Sequence, residues 1–230
     1  MPVGVIMLDT RFPRPPGDIG NPATFGGDVI YERVPGAVPE RVVGETGTDR
    51  ALLQPFLGAR DVLVRRGADV IATSCGFLVL FQEAMAAGCA TPVLTSSLVM
   101  LPALERSLRS KGKRPAVLTF HGGRLGPEHL RAAGARADTP IAGTEHGSEL
   151  VRRILANEPS MDLAAAERDV VDAGRSLMQA HAGIGAIVLE CTNMPPYREA
   201  LRRACGVPVY DIVTMIAAQR VVSGHVPPAN

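Results

Sequence analysis

Cys75 and Cys191 each close an apolar run, in Ile71–Phe77 (IATSCGF) and Val188–Met194 (VLECTNM). A cysteine at the turn from a strand into a helix meets amide N–H groups and the positive end of the helix, and both favour thiolate. A thiolate beside a substrate carbon is a base, and the matching thiol is an acid. The two cysteines are also related to each other. Laid on Gly183–Val209 at a constant offset of 116, Gly67–Val93 matches at eight of 27 positions. Ordinary residue usage gives about two such matches. All four cysteines fall inside this register: Cys75 with Cys191, and Cys89 with Cys205. Two equivalent thiols facing one cleft suit a reaction that handles a proton on both faces of a flat intermediate. A single cysteine in an apolar run is more often a small buried hydrophobe. Recurrence at equivalent turns favours function for Cys75 and Cys191, whereas Cys89 and Cys205, near helix C-termini, are expected in the core.

The elements that would position these thiols follow from the pattern. Short β-branched runs at Val3–Leu8, Ala68–Thr73, Pro92–Thr95, Ala116–Phe120, Ala186–Leu189 and Val207–Tyr210 alternate with helical patterns. The helical patterns cover 49–66, 78–87, 98–109, 127–133, 148–156, 163–181 and 196–204. Strands alternating with helices indicate an α/β fold with mostly parallel sheets flanked by helices. Each cysteine unit reads as a βαβ crossover, with its cysteine beyond the carboxyl end of the first strand, where ligand chemistry sits in open α/β sheets. Residues 11–47 break the pattern with six prolines and seven glycines. This is a long loop with one extended piece near Val29–Val34, either a lid over the site or a surface or dimer-contact excursion. Lys111–Pro115 is the expected connection between lobes, and Gly224–Asn230 is an expected frayed tail.

Composition excludes several classes. At 230 residues the chain accommodates one large α/β domain or two small lobes. A net charge of +1, no tryptophan and only nine aromatic residues argue against nucleic acid or an anionic membrane as partner. The opening residues lack the signature of a signal peptide, which leads us to expect a cytoplasmic, reducing location and free thiols. Cysteine spacings of 14, 102 and 14 lack the close pairs of a zinc site. Gly17–Asn21 lacks the context of a dinucleotide loop. His129, His146, His181 and His225 have no partner pattern, and Glu83 and Glu199 are expected to be structural. Glu190, on the strand before Cys191, is expected to point to the opposite face.

The residues CTNMPPY from Cys191 and TSCGF around Cys75 resemble the aspartate/glutamate racemase superfamily. That superfamily includes amino acid and hydantoin racemases, arylmalonate decarboxylases and maleate isomerases, and the resemblance spans essentially the whole chain. It implies two pseudo-symmetric lobes with the site in the cleft between them, and no metal or pyridoxal cofactor. The implied division is 1–97 plus 211–230 for the first lobe and 98–210 for the second. The implied activity is racemisation or epimerisation at a carbon α to a carboxylate or carbonyl of an amino acid or derivative, Cys75 and Cys191 exchanging acid and base roles. The alternatives are a cysteine-dependent isomerase or decarboxylase of a small dicarboxylate, or a catalytically silent ligand-binding relative. Less directly, Asp9 after the first strand resembles the family's strand–Asp turn, with a local turn role as its alternative. Thr119 and His121 occupy the equivalent place in the second lobe. Thr192 and Asn193 are placed to clamp a substrate carboxylate, with Gly76 supplying a backbone N–H and Phe77 apolar bulk. The last pair departs from the family's usual Cys-Asn-Thr, and Asn193 from the Cys-Thr-His of glutamate racemases. The expected partner is a small-molecule carboxylate, with a homodimer possible by base rate.

Overall fold

In the computed structural model, which describes residues 2–44 and 47–224, the eight strands form two sheets of four. The first lobe holds β1 (Val3–Met7), β2 (Val29–Arg33), α1 (Pro39–Val42), α2 (Leu53–Arg65), β3 (Val70–Thr73), α3 (Gln82–Ala86) and β4 (Val93–Leu94). After α4 (Leu101–Arg109) come β5 (Arg114–Thr119), α5 (Pro127–Ala132), β6 (Ile141–Gly143), α6 (Leu150–Leu155) and α7 (Leu163–Ala180). The chain ends in β7 (Ile184–Leu189), α8 (Arg198–Cys205), β8 (Val209–Tyr210) and α9 (Ile212–Val222). All strand pairs are parallel, in the orders β2-β1-β3-β4 and β6-β5-β7-β8.

The repeat read from the sequence is a repeat in space. Ile71 pairs with Val93 across β3 and β4, and Ile187 pairs with Val209 across β7 and β8. These are the same positions 116 residues apart. The turn leaving each central strand is also equivalent: Ser74 N–H donates to the Ile6 carbonyl at 2.9 Å and Glu190 N–H to the Leu118 carbonyl at 2.9 Å.

Why these runs form inner strands is visible in their burial. β3 and β7 are buried at every position, as required of a parallel strand covered on both faces. Val3, Val5, Val70 and Ala72 on one face of the first sheet pack on Ile212 and Ile216 of α9. The other face feeds a core that runs through both lobes, from Ile6 and Ile71 to Leu118 and Leu189. Gly4 leaves room for α2, since a Cβ there would stand 3.2 Å from Leu63 Cδ1. Helix α7 starts where Asp162 accepts N–H groups from Ala164 and Ala165.

The short edge strand β6 has no counterpart among the expected strands. The stretch between Cys75 and α3 is a 3-10 turn over Gly76–Phe81 rather than a single helix from 78. Most of the expected tail, 225–230 with His225, lies outside the described residues. Among the described residues, no helix is long and apolar enough to cross a membrane.

Because the two central strands are equivalent and fully buried, truncating either should cost alike. We expect Ile71→Ala and Ile187→Ala each to lose about 2–5 kcal/mol of unfolding free energy in denaturant titrations. A cost confined to one of them would contradict a core shared equally by the two sheets.

Candidate active site

Both thiols stand where a parallel strand ends and a helical turn begins. Cys75 follows β3 with extended backbone and opens the Gly76–Phe81 turn. The backbone N–H groups of Phe77 and Leu78 ease its ionisation, and the Leu78 N–H donates to the Cys75 carbonyl at 3.3 Å. Cys191 lies two residues beyond β7, before a turn with prolines at its start, and its thiol donates to Asn193 Oδ1 at 3.7 Å. All four cysteines are free. Burial, and next the neighbouring Glu190 carboxylate, push both thiols above their ordinary range, while the backbone N–H groups pull the other way. The resting site therefore holds thiols, and making a thiolate requires a nearby group to take a proton.

Cys75 and Cys191 line one cavity of about 30 Å³, room for about two waters. Gly76, Phe77, Glu190, Thr192 and Asn193 come to it from the strand ends, Leu8 from the end of β1, and Phe120 and Ile154 from the second lobe. Phe12, Pro39 and Val43 close it from the long 11–47 segment. No lysine, arginine or histidine is among the lining residues. Among the described residues, no group of three or more His, Cys, Asp or Glu side chains is placed to hold a metal ion.

Glu190 corrects the sequence reading. It lines the cavity, and its carboxylate lies against Gly76 beside Cys75. Glu190 is 1% exposed. Thr119 Oγ1 donates to its Oε2 at 2.6 Å, and its Oε1 has no hydrogen-bond partner. Burial pushes this carboxyl up to about 7 against the pull of Thr119. Gly76 makes room for it: a Cβ there would meet both the Glu190 carbonyl oxygen and its Oε1 at 2.4 Å.

The other expected site residues divide. Phe77 spans the lobes, its ring 5.7 Å from Phe120 and 5.0 Å from His129. Thr119 reaches the site only through Glu190. Thr192 and Asn193 line the cavity, but their side-chain donors are committed elsewhere. Thr192 Oγ1 donates to the Ser74 carbonyl at 2.7 Å, and Asn193 Nδ2 to Asp18 Oδ2 at 2.7 Å. Their side chains thus serve as ties within the protein. Asp9 stands outside the lining: its carboxylate accepts from the Gly36 N–H at 3.1 Å and Arg33 at 3.2 Å, which hold it below the usual carboxylate range. Its contacts are those of a turn residue. His121 borders a separate groove with Gly44, Gly47 and Arg124.

Arg14 has no role in the sequence reading, and Asp18 enters it only as part of the Gly17–Asn21 stretch. Asp18 is fully buried, paired with Arg14 at 3.0 Å and bonded to Asn193. Arg14 also donates to Thr10 Oγ1 at 2.9 Å and stacks 4.7 Å over the Phe12 ring. Further along, Arg11 N–H donates to Asn157 Oδ1 at 2.7 Å, and Arg124 donates to the Val43 carbonyl at 2.8 Å. The 11–47 segment is thus a strap, rooted in the first lobe and fastened to the second. Only the uneven spacing of Arg14, Asp18 and Asn21 among prolines and glycines hinted at a built structure.

The fold and site define a class: a two-lobed parallel α/β protein with one thiol from each lobe in a shared cleft. The sequence profile of the Asp/Glu/Hydantoin racemase family matches residues 38–220, and the chain belongs to that family. Among relatives, it is 32% identical over 232 residues to a dimethylsulfoniopropionate lyase of Durusdinium sp. clade D, covering 97% of this chain and 75% of that protein. It is 33% identical over 225 residues to dimethylsulfoniopropionate lyase 3 of Emiliania huxleyi, covering 92% of this chain but only 57% of that protein's length. In structure it is similar to the Gly74Cys mutant of arylmalonate decarboxylase, with a TM-score of 0.59, 16% identity, and coverage of 97% and 94%.

The raised carboxyl of Glu190 has a signature in stability. The folded protein binds this proton more tightly than the unfolded chain, so stability falls as pH rises from the ordinary carboxyl range, 4.5, to about 7. Replacing Glu190 with Gln removes that loss. We expect Glu190→Gln to match wild type near pH 4 and to gain on the order of 3 kcal/mol over it above pH 7 in urea unfolding. A constant difference across that range would mean Glu190 titrates normally.

Proposed function

We propose that the protein is a cysteine-dependent lyase that expels a thioether from a β-sulfonio carboxylate, with dimethylsulfoniopropionate as its substrate. The observation that carries this reading is the composition of the cavity: two thiols, one buried carboxylate, three phenylalanines and no basic side chain. A second substrate carboxylate, as in aspartate or glutamate, finds no cation there. A dimethylsulfonium group carries full positive charge but no N–H, so it is recognised by aromatic faces and an anion rather than by directed hydrogen bonds. Phe12, Phe77 and Phe120 supply the faces and Glu190 the charge. The names of the relatives support the same reading.

The chemistry needs one base. A cleft thiolate removes a proton from the carbon next to the carboxylate. The electron pair becomes the new C=C bond as the C–S bond breaks, giving acrylate and neutral dimethyl sulfide. Charge that builds on the carboxylate in the transition state falls toward backbone N–H groups at the turns after Cys75 and Cys191. The strap and the small cavity keep water away from the carbanionic carbon, and the substrate enters when the strap lifts. Retention of both thiols favours a second reading, the racemase of the sequence analysis, in which the proton returns to the opposite face.

One assay separates the two. Purified protein with dimethylsulfoniopropionate should release dimethyl sulfide, measured in the headspace, and an equal amount of acrylate, measured by NMR. Replacing the thiol that serves as base, by Cys75→Ala or Cys191→Ala, should lower kcat about 10²–10⁴-fold. No release, together with α-proton exchange of an amino acid in D₂O, would replace the lyase by the racemase.

A further inference from the structure

We propose that Glu190 is the proton carrier of the cleft, drawing the proton from a thiol to create the base and passing it to solvent after each elimination. The inference rests on the lyase reading above. Its geometric ground is that one carboxylate adjoins both thiol turns. Glu190 immediately precedes Cys191, and its Oε1 lies 2.4 Å from where a Cβ on Gly76, the residue after Cys75, would stand. One oxygen is anchored by Thr119, while the other is buried without a partner. A buried carboxylate oxygen without a donor is costly as the anion, so it is the atom at which a proton is taken up.

Proton accounting supplies the need. A two-thiol racemase takes a proton on one sulfur and returns one from the other, so nothing accumulates. Elimination is different. The zwitterionic substrate becomes an anion and a neutral thioether, and one proton stays on the enzyme. In the first step the S–H bond breaks and the Glu190 carboxylate takes that proton, leaving thiolate. The thiolate then takes the substrate's α-proton as the C–S bond breaks, which restores the S–H bond. Glu190 finally releases its proton to water entering the emptied cavity. Each cycle thus returns the thiol and the carboxylate to their starting forms and sends one proton to solvent.

Glu190 suits both halves of this cycle. Titrating at about 7, it accepts a proton more readily than an ordinary carboxylate and still loses it at neutral pH. The charged groups around the pair do not replace it. Arg14 eases ionisation of Cys75, Asp18 and the second thiol oppose that of Cys191, and Tyr197 beside Cys191 is itself pushed up by burial and by the charge of Asp18. Arg14 and Asp18 are already paired to each other.

The test has two arms on the full-length enzyme. In the first, without substrate, the rate of Cys75 alkylation by iodoacetamide is followed against pH by mass spectrometry. Removing the carboxylate charge in Glu190→Gln should lower the Cys75 inflection by at least one pH unit. In the second, dimethyl sulfide release is measured against pH. Wild-type kcat should rise through an inflection near neutral pH. Glu190→Gln should lose that inflection and at least a hundredfold in kcat, with KM changed less than threefold, and Glu190→Asp should recover part of the rate. Circular dichroism checks the fold, and Thr119→Val, which keeps the carboxylate, should move the inflection upward. Unchanged alkylation and near-normal kcat in Glu190→Gln, in an enzyme that does release dimethyl sulfide, overturn the role of Glu190 alone. A shifted alkylation profile in a wild-type enzyme that releases none overturns the lyase reading and the discharge step with it.

Discussion

Two buried hydrogen bonds from hydroxyl groups to strand-end carbonyls hold the carboxyl ends of the sheets face to face. Thr192 Oγ1 donates to the carbonyl of Ser74, and Ser97 Oγ donates to the carbonyl of Leu189 at 2.6 Å. Each contributes about 1 kcal/mol net, but a bare carbonyl at either place would cost about 1–3 kcal/mol. Their placement matters more than their strength. Ser74 precedes Cys75 and Thr192 follows Cys191, so the bond that joins the lobes also sets the spacing of the thiols. Phe77, packed against Phe120 and His129 of the other lobe, fills the space beside it.

Around that junction the strap decides the dielectric. Arg14, Asp18 and Asn193 form a buried chain of charge-assisted bonds whose desolvation is compensated only because every link is made. Through it a proline- and glycine-rich segment lies across the cleft and seals it with Phe12, Pro39 and Val43. Exclusion of water lifts the titration of Cys75, Cys191 and Glu190 together. A wetter cleft would leave the same residues chemically ordinary.

Much of this was legible without coordinates. The two βαβ units, their offset of 116 and the position of both thiols follow from period and repeat, and the structure pairs those strands in the same register. The departures have different causes. β6 is three residues at a sheet edge, too short for a periodic signal. Alternation puts Glu190 on the opposite face, whereas its carboxylate lies against Gly76 beside Cys75. Thr192 and Asn193 have the right chemistry for an anion, yet the opposite lobe and the strap had already engaged their donors. Asp9 has the contacts of its alternative, a local turn residue, bonded to Gly36 and Arg33.

What the sequence by itself determined is the local physics: parallel βαβ units, a thiol at each strand-to-helix turn, and a glycine after Cys75. These depend on neighbours within a few residues, and a one-dimensional pattern records them. What only the tertiary structure decided is which groups share the cavity with those thiols. Glu190 beside Gly76, Asp18 on Asn193, and Phe12 over the cleft are contacts between segments far apart in the chain. No local period encodes them, because the packing of two lobes and a strap, not the propensity of any one segment, brings them together.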